Sequence, residues 1–212
     1  MHLCPLCLST QTDFYHRDKN RCYYQCGQCE LVFVPPEFRL DAQSERAHYD
    51  HHENSLYDIG YRQFLSRLAS PLLERLSPYS VGLEFGCGPG PALAEIFKEA
   101  GHRISLYDIY YYPDAAALHQ TYDFVSATEV IEHLYYPDKV WTQWLSLIKP
   151  GGWLAIMTKQ VTDLDGFINW HYKLDITHVV FFSRATFEFL AKRDNLALEF
   201  IGNDVIFLQK KL

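Results

Sequence analysis

The chain has 212 residues, 48% of them hydrophobic and 21% charged, which suits one full-sized domain with a small accessory module and is too short for two catalytic domains. That balance excludes a disordered or low-complexity chain. Nineteen Lys and Arg against 26 Asp and Glu give a net charge of −7, so a nucleic-acid partner would need a local basic patch, and no dense Lys/Arg cluster occurs.

Every cysteine but Cys87 lies at or before Cys29. Cys4-Pro5-Leu6-Cys7 and Cys26-Gly27-Gln28-Cys29 form two C-x-x-C pairs. Each pair sets two thiolates on a tight turn, and the stretch from Cys7 to Cys26 falls in the spacer range of about 15–20 residues that lets a β-hairpin bring both turns to one tetrahedral ion. The pattern predicts a zinc ribbon over residues 1–36 with Cys4, Cys7, Cys26 and Cys29 as ligands. Four thiolates close such a site, so the zinc is expected to be structural, with Cys22 a spare. Strand-like residues 23–25 and 31–34 flank the second pair, and Pro35-Pro36 ends the module.

Residues 37–48 read as a polar linker running into a helix, followed by Tyr49-Asp50-His51-His52-Glu53-Asn54. From 57 to 76 apolar residues recur at helical spacing (Phe64, Leu65, Leu68, Leu72, Leu73, Leu76), and Pro71 predicts a kink or two shorter helices. Residues 37–77 thus form a helical linker or lid. From Val81 strands and helices alternate: strand 81–85, helix 91–100, strand 103–109, strand 122–127, helix 138–148 and strand 153–158. Such alternation predicts an α/β fold with a parallel, doubly wound sheet over 78–212, with ligands at the carboxyl ends of its strands. The tail reads as a helix over 183–193 capped by Ser183, then strands 197–201 and 205–209 joined by the turn residues Gly202-Asn203-Asp204.

Glu84-Phe85-Gly86-Cys87-Gly88-Pro89-Gly90 leaves a strand and enters a helix, where glycines allow a sharp turn and close ligand approach. The next strand ends at Asp108, a carboxylate about 20 residues beyond Gly88 that could accept ribose hydroxyls. Loop and acid together favour an adenosine-type cofactor without choosing among them.

These residues resemble the first motif and the ribose acid of the class I S-adenosylmethionine-dependent methyltransferases. Glu129-Val130-Ile131-Glu132-His133-Leu134 and Leu147-Ile148-Lys149-Pro150-Gly151-Gly152-Trp153-Leu154 are similar to stretches of the subgroup that includes ubiquinone-biosynthesis methylases. The resemblance implies a Rossmann-like methyltransferase fold and S-adenosylmethionine as cofactor. It implies that Gly86, Cys87, Gly88 and Gly90 line the methionine end, that Glu84 positions its ammonium group, and that backbone carbonyls near Ala127 and Thr128 complete the pocket. A sulfonium with a zwitterionic tail suits carboxylates and carbonyls, whereas a pyrophosphate would want a helix N-terminus.

Family members carry a helix, a strand and a second helix between the ribose acid and the fourth strand. Here only residues 109–121 separate Asp108 from Tyr122, little more than a crossover helix with its loops would take up. The third strand is therefore expected to be missing, with Tyr110-Tyr111-Tyr112 either stacking on adenine or covering the sheet edge. Between residues 158 and 183 an aromatic, His-containing segment leaves the carboxyl end of a strand. Trp170, Tyr172 and Asp175 are candidate acceptor contacts, and His178, His171 and His133 are candidate bases; orientation of an in-line displacement can also suffice without a base. Resemblance to a subgroup sharing the Cys pairs, Tyr49-Asp50 with His52 and Asn54, and residues 169–183 implies that the N-terminal helix folds over the cofactor site as a lid, which makes His52 and Asn54 further candidate substrate contacts.

A small-molecule acceptor is therefore expected. The alternatives are an RNA-base methyltransferase reading nucleic acid through the ribbon, a nucleotide-sugar C-methyltransferase, or a non-enzymatic ribbon that mediates contacts. Arg17, Lys19, Arg21 and Arg39 are balanced by Asp13, Asp18, Glu30 and Glu37, which argues against nucleic acid as a partner. No run approaches the roughly 18 apolar residues of a membrane span and the N-terminus lacks signal-peptide character, so a cytoplasmic location is expected. The oligomeric state and the methylated atom stay open.

Overall fold

A computed structural model describes residues 2–49, 56 and 58–212. Two sheets organise it. The smaller holds β1 (Thr12–Arg17), β2 (Cys22–Cys26) and β3 (Val32–Phe33) as an antiparallel ribbon, to which the late strand β8 (Val180–Phe181) adds beside β3. Strand β8 has two residues and β1 reads Thr-Asp-Phe-Tyr-His-Arg, so neither carries a clear period-2 signal; the partner strand supplies the pairing.

Helix α1 (Ala42–Tyr49) and helix α2 (Ile59–Leu73) follow. Asp58 caps α2 by accepting the Tyr61 backbone N–H. Contrary to the expected break, α2 runs as one helix with Pro71 in its last turn, where the helix ends two residues later and has little left to disrupt.

The larger sheet contains β4 (Val81–Phe85), β5 (Arg103–Tyr107), β6 (Tyr122–Thr128), β7 (Ile148–Met157), β9 (Leu196–Ile201) and β10 (Val205–Lys210), in the order β5-β4-β6-β7-β10-β9. The first four are parallel to one another, and β10 is antiparallel to both β7 and β9. Strand β5 is an edge, with no strand between it and β6 in sequence. Residues 109–121 instead form a tight turn closed by Asp108 and Tyr112, and a short 3-10 helix over Ala115–His119. That turn also ends β5 at Tyr107, two residues before the sequence pattern would stop it.

Leu65, Leu68 and Leu72 of α2 and Leu93 and Phe97 of α3 (Ala92–Glu99) cover one sheet face over Phe124 and Phe207. Trp141 and Trp144 of α4 (Pro137–Leu147) belong to the other core. The short helix α5 (Leu164–Ile168) sets Phe167 against Tyr23 and Phe181 of the ribbon. Phe187 and Leu190 of α6 (Arg184–Arg193) join Trp141 and Trp144. Cys4, Leu6, Cys26, Cys29 and Phe33 belong to that same core, so the ribbon is packed into the α/β body. Helix α6 starts at a capping box, in which the Ser183 side chain accepts the Thr186 N–H and the Thr186 side chain accepts the Ser183 N–H.

Candidate functional site

The loop after β4 is latched to the end of β5. Gly86 N–H donates to the Tyr107 carbonyl at 2.7 Å, and Gly88 N–H donates to Asp108 Oδ2 at 2.9 Å. Gly86 has φ +71°, and a Cβ there would lie 2.5 Å from Val130 Cγ2. Gly88, at φ +62°, would put its Cβ into open space, so a ligand can approach the backbone on that side. Cys87 and Gly90 are buried behind it.

Asp108 is buried and spends both oxygens on backbone donors: Oδ2 on Gly88, Oδ1 on Tyr110 N–H at 2.8 Å and Tyr111 N–H at 3.1 Å. Glu84 is also buried, and its Oε2 accepts Ala94 N–H at 2.8 Å in the first turn of α3. Burial pushes this carboxyl up to about 8. Ala127 and Thr128 end β6 beside Ile156 and Met157, and Thr128 Oγ1 is buried without a hydrogen-bond partner.

The next residues lead from this loop into a polar cluster. After Glu129, at φ +52°, a single 3-10 turn over Ile131–His133 buries Glu132. Tyr172, in a second 3-10 turn over His171–Leu174, donates its phenol to Glu132 and lies 3.1 Å from Glu129 Oε2. Thr158 donates to Glu132 Oε2 at 3.1 Å. Burial, reinforced by the neighbouring Glu129, holds the Glu132 carboxyl well above the ordinary range.

His178 is buried, and its ring lies 4.2 Å from that of Tyr172 and 4.6 Å from that of His133. Burial lowers its pKa, which favours the neutral imidazole. Asp175 accepts the Thr177 N–H at 2.9 Å and hydroxyl at 2.6 Å, and lies 3.4 Å from His48 Nε2 and 3.8 Å from His178 Nε2.

Of the candidates from sequence, His133, Tyr172, Asp175 and His178 come together. His171 does not: it is exposed and pairs with Lys159 Nζ at 3.1 Å. Trp170 packs against Phe167 and Phe181 under the ribbon as well as against Tyr172. His52 and Asn54 lie outside the described residues. In the sequence, Glu129 and Glu132 stand out only as part of a family signature, although two acids three apart followed by His is itself a ligand-like pattern. Helix α1 spans the site: Glu45 accepts from Tyr110 Oη at 2.9 Å, and Tyr49 sets its ring edge-on to His133 at 5.3 Å.

At the ribbon, Cys4 Sγ and Cys29 Sγ are 3.6 Å apart and Cys7 Sγ and Cys26 Sγ 3.4 Å, and all four sulfurs lie within 4.8 Å of one another. A tetrahedral ion with sulfur ligands at about 2.3 Å needs sulfur–sulfur edges of about 3.8 Å, close to these spacings.

A family model described as a methyltransferase domain matches residues 57–199. No curated protein matches the chain. Solved structures share the fold. Magnesium protoporphyrin IX methyltransferase from Synechocystis PCC 6803, with bound S-adenosylmethionine, is 13% identical at TM-score 0.53 over 82% of this chain and 93% of its own. The 1,6-didemethyltoxoflavin-N1-methyltransferase of Burkholderia thailandensis, with S-adenosylhomocysteine, is 16% identical at TM-score 0.51 over 94% of this chain and 100% of its own. A methyltransferase from Archaeoglobus fulgidus is 18% identical at TM-score 0.53 over 70% of this chain and 94% of its own.

Proposed function

Because the chain belongs to the methyltransferase-domain family and is an S-adenosylmethionine-dependent methyltransferase, we propose that residues 84–90, Asp108, Ala127 and Thr128 hold the cofactor and that the acceptor is a small molecule. The observation that carries this reading is the latch between Gly88 and Asp108, which leaves an open backbone approach beside a fixed carboxylate. When bound, S-adenosylmethionine supplies a methyl group activated by its sulfonium charge.

The chain's own residues fit that group. Thr128 Oγ1, buried and unpartnered, would gain a hydrogen bond from the methionine end. Glu84, with Oε2 spent on Ala94, would turn its other oxygen to the ammonium. Of the four acceptor positions on a carboxylate, Asp108 uses three on backbone N–H groups, which leaves room for one ribose hydroxyl unless the turn yields another. Tyr110, tied to Glu45 of α1, would close the adenine side, and α1 would act as the lid. The acceptor would enter beside Tyr172, Asp175 and His178, with neutral His178 or His133 available to take a proton.

The small-molecule reading rests on two supports. The structural neighbours named above include enzymes of a porphyrin and of a toxoflavin precursor. Among the four Lys and Arg residues within residues 1–40, Arg21 spends its guanidinium on the Lys173, Asp175 and Ile176 carbonyls, and Arg39 spends its own on the Val34 and Tyr135 carbonyls, so neither is free for phosphate. We assign zinc, in a structural role, to Cys4, Cys7, Cys26 and Cys29. No described helix is long and apolar enough to cross a membrane.

Calorimetric titration with S-adenosylhomocysteine tests the cofactor site. Asp108→Ala should weaken binding by about 1.5–3 kcal/mol, the range for hydrogen bonds to a charged group. Equal affinity in the variant and the wild type would remove Asp108 from the ribose role.

A further inference from the structure

Arg21 stands just before β2 of the ribbon, yet its guanidinium is only 4% exposed and ends against the far side of the chain. Nη2 donates to the Lys173 carbonyl at 2.6 Å and the Asp175 carbonyl at 2.8 Å, and Nη1 donates to the Ile176 carbonyl at 2.9 Å. Nε donates to Tyr23 Oη at 2.9 Å, and that hydroxyl donates to Asp18 Oδ2 at 2.6 Å, so the fork is braced from the ribbon side as well. Among the described residues Arg21 forms no ion pair. A cation buried against neutral oxygens loses its hydration, and an apolar side chain of that size would pack there without such a loss. What the guanidinium adds is direction: a rigid planar fork that holds several acceptors at fixed angles.

The three carbonyls lie between the two that anchor the imidazoles. His178 Nδ1 is 2.7 Å from the Tyr172 carbonyl, one residue before Lys173, and His133 Nδ1 is 3.2 Å from the Thr177 carbonyl, one residue after Ile176. A carbonyl oxygen only accepts, so both Nδ1 atoms carry the proton and, in the neutral rings, both Nε2 atoms carry the lone pair. Consecutive peptide groups are planar and joined only through φ and ψ, so fixing the carbonyls of 173 and 176 constrains those of 172 and 177. The turn over His171–Leu174 ends there, where the last carbonyls of a helical turn have no donor of their own. The ribbon also holds the far end of the segment, since Val34 N–H donates to the Val179 carbonyl at 2.8 Å and β3 pairs with β8. Burial keeps His178 neutral, and the Arg21 charge acts in the same direction.

We propose that Arg21, though part of the ribbon, is a positioning residue of the acceptor site: it fixes the backbone of 173–176 so that the Tyr172 and Thr177 carbonyls hold His178 and His133 in the tautomer that can take a proton at Nε2. The ribbon then builds the acceptor side of the enzyme instead of serving as a separate recognition module. The clamp stands on its own contacts; its bearing on the acceptor rests on the reading of the site given above. The cofactor side lies apart from it, because the glycine loop and Asp108 make their latch without any ribbon residue.

Magnetic resonance of isotopically labelled imidazole nitrogens, in the full chain with S-adenosylhomocysteine bound, tests the clamp. Well above the imidazole titration range, the wild-type His178 and His133 rings should each show one form, protonated at Nδ1. In Arg21→Met the His178 nitrogens should move toward the averaged shifts of an unanchored ring, and Arg21→Lys, which keeps the charge and some donors, should recover part of the difference. Zinc content and S-adenosylhomocysteine affinity should stay within twofold of the wild type. A folded Arg21→Met with both rings unmoved would overturn the inference and leave Arg21 a packing residue, as would a large loss of S-adenosylhomocysteine affinity, which would mean that Arg21 supports the whole fold. Should Arg21→Met not fold, Tyr23→Phe, which removes only the hydroxyl that receives Nε, is read in its place, and unmoved rings overturn the inference equally. Transfer of labelled methyl from S-adenosylmethionine into a small-molecule cell extract separates the two readings. Arg21→Met should lose transfer at least tenfold. If Tyr172→Phe and His178→Ala transfer at the wild-type rate, the acceptor reading fails whatever the rings show; if those two lose transfer and Arg21→Met does not, the acceptor reading stands and this inference fails.

Discussion

Glu84 is a carboxyl without a salt-bridge partner among the described residues, buried at the root of the glycine loop and pushed up to about 8 by that burial. A raised carboxyl stabilises the fold fully below its unfolded pKa of about 4.3, and the contribution is lost as pH climbs through the folded value. An ammonium group beside it would favour the ionised form, so cofactor binding should expel the proton. At pH about 6.5, below the folded value, titrations with S-adenosylhomocysteine in buffers of different ionisation enthalpy should show close to one proton released by the wild type and none by Glu84→Gln. Equal release by both proteins would mean that Glu84 does not meet the ammonium. At this scale the glycines, Asp108 and the four cysteines were readable because each residue type has few alternative uses at its spacing. The partners of Asp108 were not, since two of them are backbone groups two and three residues away, in a turn that no side-chain pattern announces.

Among the elements, the parallel strands were the most legible, because β4 and β6 are buried along most of their length and read as apolar runs. Gly82 marks where they touch most closely: an added Cβ would overlap the Phe124 ring on the neighbouring strand. Gly82→Ala should therefore cost about 1–3 kcal/mol and lower the melting temperature by about 2–4 °C per kcal/mol. An unchanged thermal melt would mean that the Phe124 ring turns aside at no cost. The absent third strand was also foreseeable, since the stretch 109–121 cannot hold both a crossover and a strand. Strand β8 was invisible by contrast, because a two-residue strand exists only through its partner.

For the whole molecule, the joining of ribbon and α/β body has a consequence for stability. Cys4, Cys26 and Cys29 share a core with Trp141 and Phe187, and β3 pairs with β8 directly after the His178 segment. Loss of zinc should therefore lower the main unfolding transition as well as the ribbon's own. Cys26→Ser, with zinc content measured, should melt in one transition at least about 5 °C lower, the shift expected of roughly 2 kcal/mol. A body that melts unchanged after losing zinc would show two independent units.

Class of fold, the expectation of an adenosine-type cofactor and the four candidate zinc ligands could be read from the sequence alone, because spacing along the chain encodes local geometry: two residues between cysteines on a turn, a strand-turn-helix around glycines, an acid at the end of the next strand; S-adenosylmethionine in particular came from the family resemblance. Contacts between distant segments required the tertiary structure. Arg21 reaches the carbonyls of residues 173, 175 and 176, and Glu132 meets Thr158, Tyr172 and His178, across separations that leave no periodic trace in the chain. Such clusters form only when packing brings two loops to the same end of a sheet, and packing is decided by the whole core.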